Sequence, residues 1–218
     1  MTAFSRWLIA LLLTAVTVVV CYLWIDRRLA LFAHAHNAQR ETFASLTHIP
    51  DLLNPLAAAA FVIFGLWVMA GRPMTNAVAA GALSSISLIV AEAIKSQLKF
   101  AFGRSWPDTW VANNPSFVHD GVYGFNFFHG GPGYASFPSG HTAATCAVFS
   151  VLWIMYPKLR PFYAGVVLAV AVGLIGANYH FLSDVIAGGF VGTSTGWMTV
   201  EIWRARQTRA VPPRAGEA

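Results

Sequence analysis

Three short polar clusters interrupt an otherwise apolar chain of 218 residues, and each holds side chains suited to chemistry. His180 and Asp184 stand four residues apart. At a helix start that spacing puts them on one face. A carboxylate so placed accepts a hydrogen bond from one imidazole nitrogen, fixes the tautomer and leaves the other nitrogen free as nucleophile or base. The same spacing also suits a plain helix N-terminal acid beside an interfacial histidine. The second cluster is Pro138-Ser139-Gly140-His141. Ser139 can cap a helix, and Gly140 lets an anion approach the backbone, where free N–H groups and the helix dipole attract phosphate. His141 is then placed to protonate a leaving oxygen. Read alone, this segment also fits an ordinary serine cap. The third cluster supplies positive charge through Lys99 and Arg104, which phosphoryl transfer needs and which interfacial anchoring also explains. Lys95, one turn before Lys99 and close to Glu92, reads as a structural partner of Glu92 rather than a ligand contact.

The elements that must position these groups are helices in a membrane. The chain is 56% hydrophobic and only 11% charged, with a mean hydropathy of +0.57. A soluble domain carries about 25% charged residues. Six apolar runs are long enough to cross a bilayer, which takes roughly 20 residues. They lie at about 7–25, 53–70, 76–94, 139–156, 162–179 and 185–203. The expected fold is therefore all-α, a six-span bundle forming one membrane-embedded domain over 1–218. The first run reads as an uncleaved anchor, because no small-x-small site precedes Asp26-Arg27-Arg28. Residues 26–51 form an amphipathic link, and 204–218 a loose polar tail. Residues 100–138 form the longest connection, rich in Gly, Pro, Asn and aromatics, and such a loop is usually functional. Its aromatic content predicts an ordered cover at the end of the bundle.

With six spans both termini share one side. That side collects eight basic residues against six on the other, or eight against three once Lys95, Lys99 and Arg104 are set aside as site residues. The positive-inside rule then puts both termini in the cytoplasm and the 100–138 loop outside, in a bacterial inner membrane with the site facing the periplasm. Orientation accounts for the net charge of +5, so no nucleic-acid partner is called for. Cys21 and Cys146 both lie in apolar runs and form no CxxC pair, so they read as small buried hydrophobes. Carboxylates do not cluster, and neither a metal nor another cofactor is signalled. All three polar clusters fall at one membrane face, where polar residues are functional candidates by default.

In this order and on these helices, the clusters resemble the type 2 phosphatidic acid phosphatase family, whose site is similar to that of vanadium haloperoxidases. The family pattern runs Lys-x6-Arg-Pro, then Pro-Ser-Gly-His, then Ser-Arg-x5-His-x3-Asp. This chain matches Lys99 and Pro107, the whole of Pro138 to His141, and His180 with Asp184. It departs at both arginines: Trp106 and Leu174 stand in their places, and Gly173 replaces the serine. The resemblance implies a metal-independent hydrolase that removes phosphate from a membrane lipid. His180 would attack phosphorus, Asp184 would orient it, and His141 would protonate the leaving oxygen and later activate water. Lys99, Arg104, Ser139 and Gly140 would hold the phosphate oxygens, with Arg104 taking over from Trp106 and Asn178 acting as a neutral donor. Polyprenyl pyrophosphate, phosphatidylglycerol phosphate, phosphatidic acid and phosphorylated lipid A all remain open as substrates. A phosphotransferase using the same residues and a non-catalytic lipid-binding protein are the alternatives.

Overall fold

The computed structural model describes residues 2–36, 39–110 and 113–210. Helices stand at all six expected positions, and among the described residues there is no named strand. The first run forms α1 (Ala3–Val20), a π-helical turn (Cys21–Ile25) and α2 (Asp26–Ala35). A short α3 (Arg40–Leu46) leads to α4 (Leu53–Met69) and α5 (Asn76–Phe102). After the long loop and its one-turn α6 (Phe117–Asp120) come α7 (Gly140–Met155), α8 (Arg160–Gly176) and α9 (Leu182–Ala210).

Four helical stretches are long and apolar enough to cross a membrane: Ala3–Ala35, Arg40–Met69, Asn76–Phe102 and Pro157–Gly176. Their outer faces carry large exposed hydrophobics such as Leu12, Leu66, Met69 and Leu168. Apolar exposure on this scale marks a surface solvated by lipid. Gly140–Met155 is also apolar but shorter.

Three boundaries differ from expectation. The link over 26–51 is largely helical, because α1 runs through the π turn into α2 without a break. The third run continues as α5 to Phe102, past its expected end near 94, and carries both Lys95 and Lys99. The helix stops only at Gly103, whose backbone is left-handed (φ 53°) and whose missing side chain would collide with the carbonyl of Asn126. The tail is helical to Ala210, and 211–218 lie outside the described residues.

The centre of the bundle is built from small residues. Ala79, Ala80, Ala82, Ser84, Ser85 and Ser87 are buried on α5, and Ala143, Ala144 and Ala147 are buried on α7, which packs against it. Ser87 donates a 2.9 Å hydrogen bond to the Ala147 carbonyl and stands 3.2 Å from the Thr195 hydroxyl, tying α5, α7 and α9 together. Gly188, Gly192 and Gly196 recur every four residues on α9. A Cβ added at these positions would strike Ser139, Ala143 and Ala147 or Ser150 of α7. This is the small-xxx-small seam by which helices approach closely in lipid. It presses the start of α7, with His141, against the start of α9, with Asp184. Gly192→Leu should therefore abolish recovery of monodisperse protein in detergent size-exclusion chromatography. Gly165→Leu, on α8 with open space around it, should be tolerated. Equal recovery of the two variants would show that the seam does not hold the bundle.

Candidate active site

The three polar clusters meet at one end of the bundle. A cavity of about 240 Å³ opens there, lined by Lys95 and Lys99 of α5, Gly140 and His141 of α7, His180, and Trp106 and Trp110 of the long loop. Asp51, Asn54 and Glu92 complete its rim.

His180 is presented by the turn between α8 and α9. Asn178 makes that turn in a left-handed conformation (φ 59°), which asparagine tolerates better than most residues. The Tyr179 and His180 amides then fold back onto the Leu174 carbonyl at 2.9 and 3.3 Å. His180 Nδ1 lies 3.4 Å from Asp184 Oδ2, and the Ser136 hydroxyl donates to the same oxygen at 2.6 Å. Asp184 also accepts from the Phe181 amide at 3.0 Å. The carboxylate is fully buried and His180 is 3% exposed, so the imidazole reaches solvent only through the cavity. Burial is the largest influence on His180 and pushes its pKa below the ordinary histidine value, although the Asp184 hydrogen bond and charge act the other way. That direction favours the neutral ring.

On the opposite wall Ser139 caps α7, its hydroxyl accepting from the Thr142 amide at 3.4 Å, while its own amide donates to the Asp184 carbonyl at 3.0 Å. The α7 N-terminus and the His180 turn are thus joined through the backbone. His141 Nε2 stands 3.6 Å from Asp51, beyond hydrogen-bond reach. Lys99 donates to the Ala135 carbonyl at 2.6 Å and lies 5.6 Å over the Trp106 ring, which is itself 5.1 Å from His180. Lys95 pairs with Glu92, as expected, and also lines the cavity.

Of the residues expected to touch substrate, Lys99, Gly140, His141 and His180 line the cavity. Ser139 and Asn178 are buried and do not. Arg104 requires a correction. Its side chain is wholly buried behind Asp184, not turned toward the cavity. One guanidinium nitrogen donates to Asp184 and, at 2.6 Å, to Ser183, while the other donates to Asp26 at 2.8 Å. Asp26 and Asp184 occupy the guanidinium, which does not line the cavity. Burial opposes its charge, yet Asp184 and Asp26 outweigh that and raise its pKa above the ordinary value. Asp26, Ser136 and Trp110 were not singled out in sequence as site residues. A lone acid at the end of an apolar run is the one signal that pointed to Asp26.

A model of the PAP2 superfamily matches residues 80–208. A lipid A 1-phosphatase from Rhizobium etli is 29% identical over 121 residues, which is 55% of this chain and 47% of that protein. One from Porphyromonas gingivalis is 32% identical over 114 residues, covering 49% of this chain and 21% of its own length. The matches therefore span about half or less of the relatives' length. A PAP2-type phosphatidylglycerolphosphate phosphatase from Bacillus subtilis shares the fold at a TM-score of 0.63, with 16% identity, covering 95% of this chain and 98% of that one.

Proposed function

The chain belongs to the PAP2 superfamily, and from that premise we propose that it is a metal-independent phosphatase acting on a phosphorylated membrane lipid. The observation that carries this is the meeting of His180, backed by Asp184, with His141 and two lysines around one cavity at the end of an apolar bundle.

The lone pair of His180 Nε2 attacks phosphorus, and an N–P bond forms as the bond to the lipid oxygen breaks. His141 gives that oxygen its proton. His141 then takes a proton from water, the water oxygen attacks phosphorus, and the N–P electrons return to Nε2. Asp184 holds the Nδ1 side of His180 and balances the positive charge of the phosphorylated ring. Lys99, Lys95 and the free amides at the start of α7 neutralise the phosphate oxygens, the task the two family arginines would otherwise perform. The cavity's own carboxylates each have a basic neighbour, Glu92 on Lys95 and Asp51 beside His48 and His141, which supports activity without a divalent cation.

The substrate is a phosphorylated envelope lipid of the lipid A type. The names of the curated relatives support this. Purified protein should release phosphate from lipid A bearing a 1-phosphate faster than from phosphatidic acid, phosphatidylglycerol phosphate or undecaprenyl pyrophosphate. EDTA should leave the rate intact and vanadate should inhibit it. Loss of activity with EDTA and recovery with magnesium would refute the histidine mechanism. Lys99→Ala should lower kcat about a hundredfold, since a charge clamp in a water-poor site contributes a few kcal/mol.

The six helices span the membrane with both termini in the cytoplasm and the cavity outward. Asn114 is a poor reporter of this orientation, because its buried side chain braces the loop. Phe127 is 63% exposed, and both native cysteines are buried. Phe127→Cys should label in intact cells with an impermeant maleimide. Labelling only after permeabilisation would reverse the orientation.

A further inference from the structure

We propose that Asp26 and Arg104 are positioning residues that set the charge behind the His180–Asp184 pair, so that one net negative charge remains to balance the phosphorylated imidazole. The inference rests on the histidine mechanism above and adds to it the first residue of α2, far outside the stretch 80–208 that matches the family model.

Asp26 is 1% exposed, and Arg104 and Asp184 are fully buried. None of the three lines the cavity. Asp26 Oδ2 accepts from Arg104 at 2.8 Å, and Asp26 Oδ1 accepts from the Ser183 amide at 3.1 Å, which caps the start of α9. The Ser183 hydroxyl bonds both Asp26 and Arg104. The two carboxylates thus grip opposite nitrogens of one guanidinium. Rings close around it, with Phe181 at 4.3 Å, Phe125 at 5.0 Å and Tyr22 at 5.3 Å from its central carbon. Tyr123 adds a hydroxyl contact at 3.4 Å. The π turn just before Asp26 is the local device that delivers this acid into the core, and such turns recur at functional sites.

Buried charges are costly unless compensated. A cluster of two carboxylates and one guanidinium carries one uncompensated negative charge at rest. When His180 accepts the phosphoryl group its ring becomes cationic, and the cluster becomes neutral. In a low-dielectric site that match favours the state after attack over the state before it. The charged or titratable groups facing His180 are Asp184 from α9, Arg104 from the loop, Lys99 from α5 and His141 from α7. Asp26 acts through Arg104.

The test is the titration of His180 in full-length protein carrying 13Cε1-histidine, read by NMR in detergent micelles and assigned with His180→Gln. Asp26→Asn removes a negative charge and should lower the His180 pKa by about one unit. Arg104→Gln removes the positive charge and should raise it by a similar amount. The double variant should return to within about half a unit of wild type, the signature of coupled charges. Arg104→Lys keeps the charge and should leave the titration nearly unchanged. If Arg104→Gln is not recovered folded, Asp26→Asn and Arg104→Lys alone decide: a fall in the first with no shift in the second supports the proposal. Shifts of both single variants in the same direction, toward the ordinary histidine value, would show that the cluster merely packs the core and would overturn it. No shift in Asp26→Asn would do the same. Activity is measured in parallel as phosphate released from dioctanoyl phosphatidic acid. Asp26→Asn should lower kcat about tenfold and leave KM within about twofold. Wild type that releases no phosphate from any lipid would sink the phosphatase reading while leaving the NMR comparison interpretable.

Discussion

His180→Gln should leave less than about one part in ten thousand of wild-type turnover, because it removes the nitrogen assigned to attack phosphorus, the one held by Asp184. Glutamine is similar in size and can still face Asp184, so the protein should fold and insert normally. The decisive measurement is a rapid quench with 32P-labelled lipid A. Wild type should yield an acid-labile, base-stable phosphoprotein whose labelled peptide contains His180, and the variant should yield none. Label on a peptide containing His141, or turnover within about a hundredfold of wild type, would exchange or remove the assigned roles. Asp184→Asn should be less damaging, since Ser136 and the Phe181 amide still hold the side chain beside the ring.

His141→Ala should cost about a hundredfold to ten-thousandfold in lipid hydrolysis, the usual range for losing a general acid–base group. The loss should depend on the leaving group. p-Nitrophenyl phosphate releases a weakly basic phenolate that needs no proton, so its first step should survive in the variant. Water would then lack its base, and the phosphorylated enzyme should accumulate. Stopped-flow absorbance should show a burst of about one nitrophenolate per protein followed by a slow steady state. Equal losses on both substrates, without a burst, would remove His141 from proton transfer and leave it as a wall of the cavity.

These two predictions rest on residues legible from spacing alone. His180 and Asp184 sit one helical turn apart, and Ser139-Gly140-His141 follows a proline at the start of an apolar run. Both are local patterns at a helix start, although His180 itself lies in the turn just before α9 and not on the helix. The all-α class was equally legible, because apolar runs of this length admit few other structures in lipid. The convergence of the clusters at one end followed from counting crossings.

Arg104 could not be placed in that way. Its place two residues before Trp106, which stands where the family has an arginine, gave reason to aim it at phosphate. Which partner an arginine takes depends on the carboxylates within reach, and Asp26 lies 78 residues away in sequence. Asp26 itself resembled an ordinary juxtamembrane acid until the π turn and the antiparallel packing of α1 on α9 carried it inward. Lys95 pairs with Glu92 as the helix spacing predicts, and its place beside the cavity is a tertiary matter. On an isolated helix only its pairing with Glu92 is visible, whereas the close approach of α7 at Gly140 brings its stem to the cavity. The sequence by itself determined the helices, their apolar faces and the chemically active side chains on each, since these depend on local composition and the helix period. The tertiary structure alone decided which cations face the cavity and which are consumed by buried carboxylates, because charge pairing is settled by distance through space.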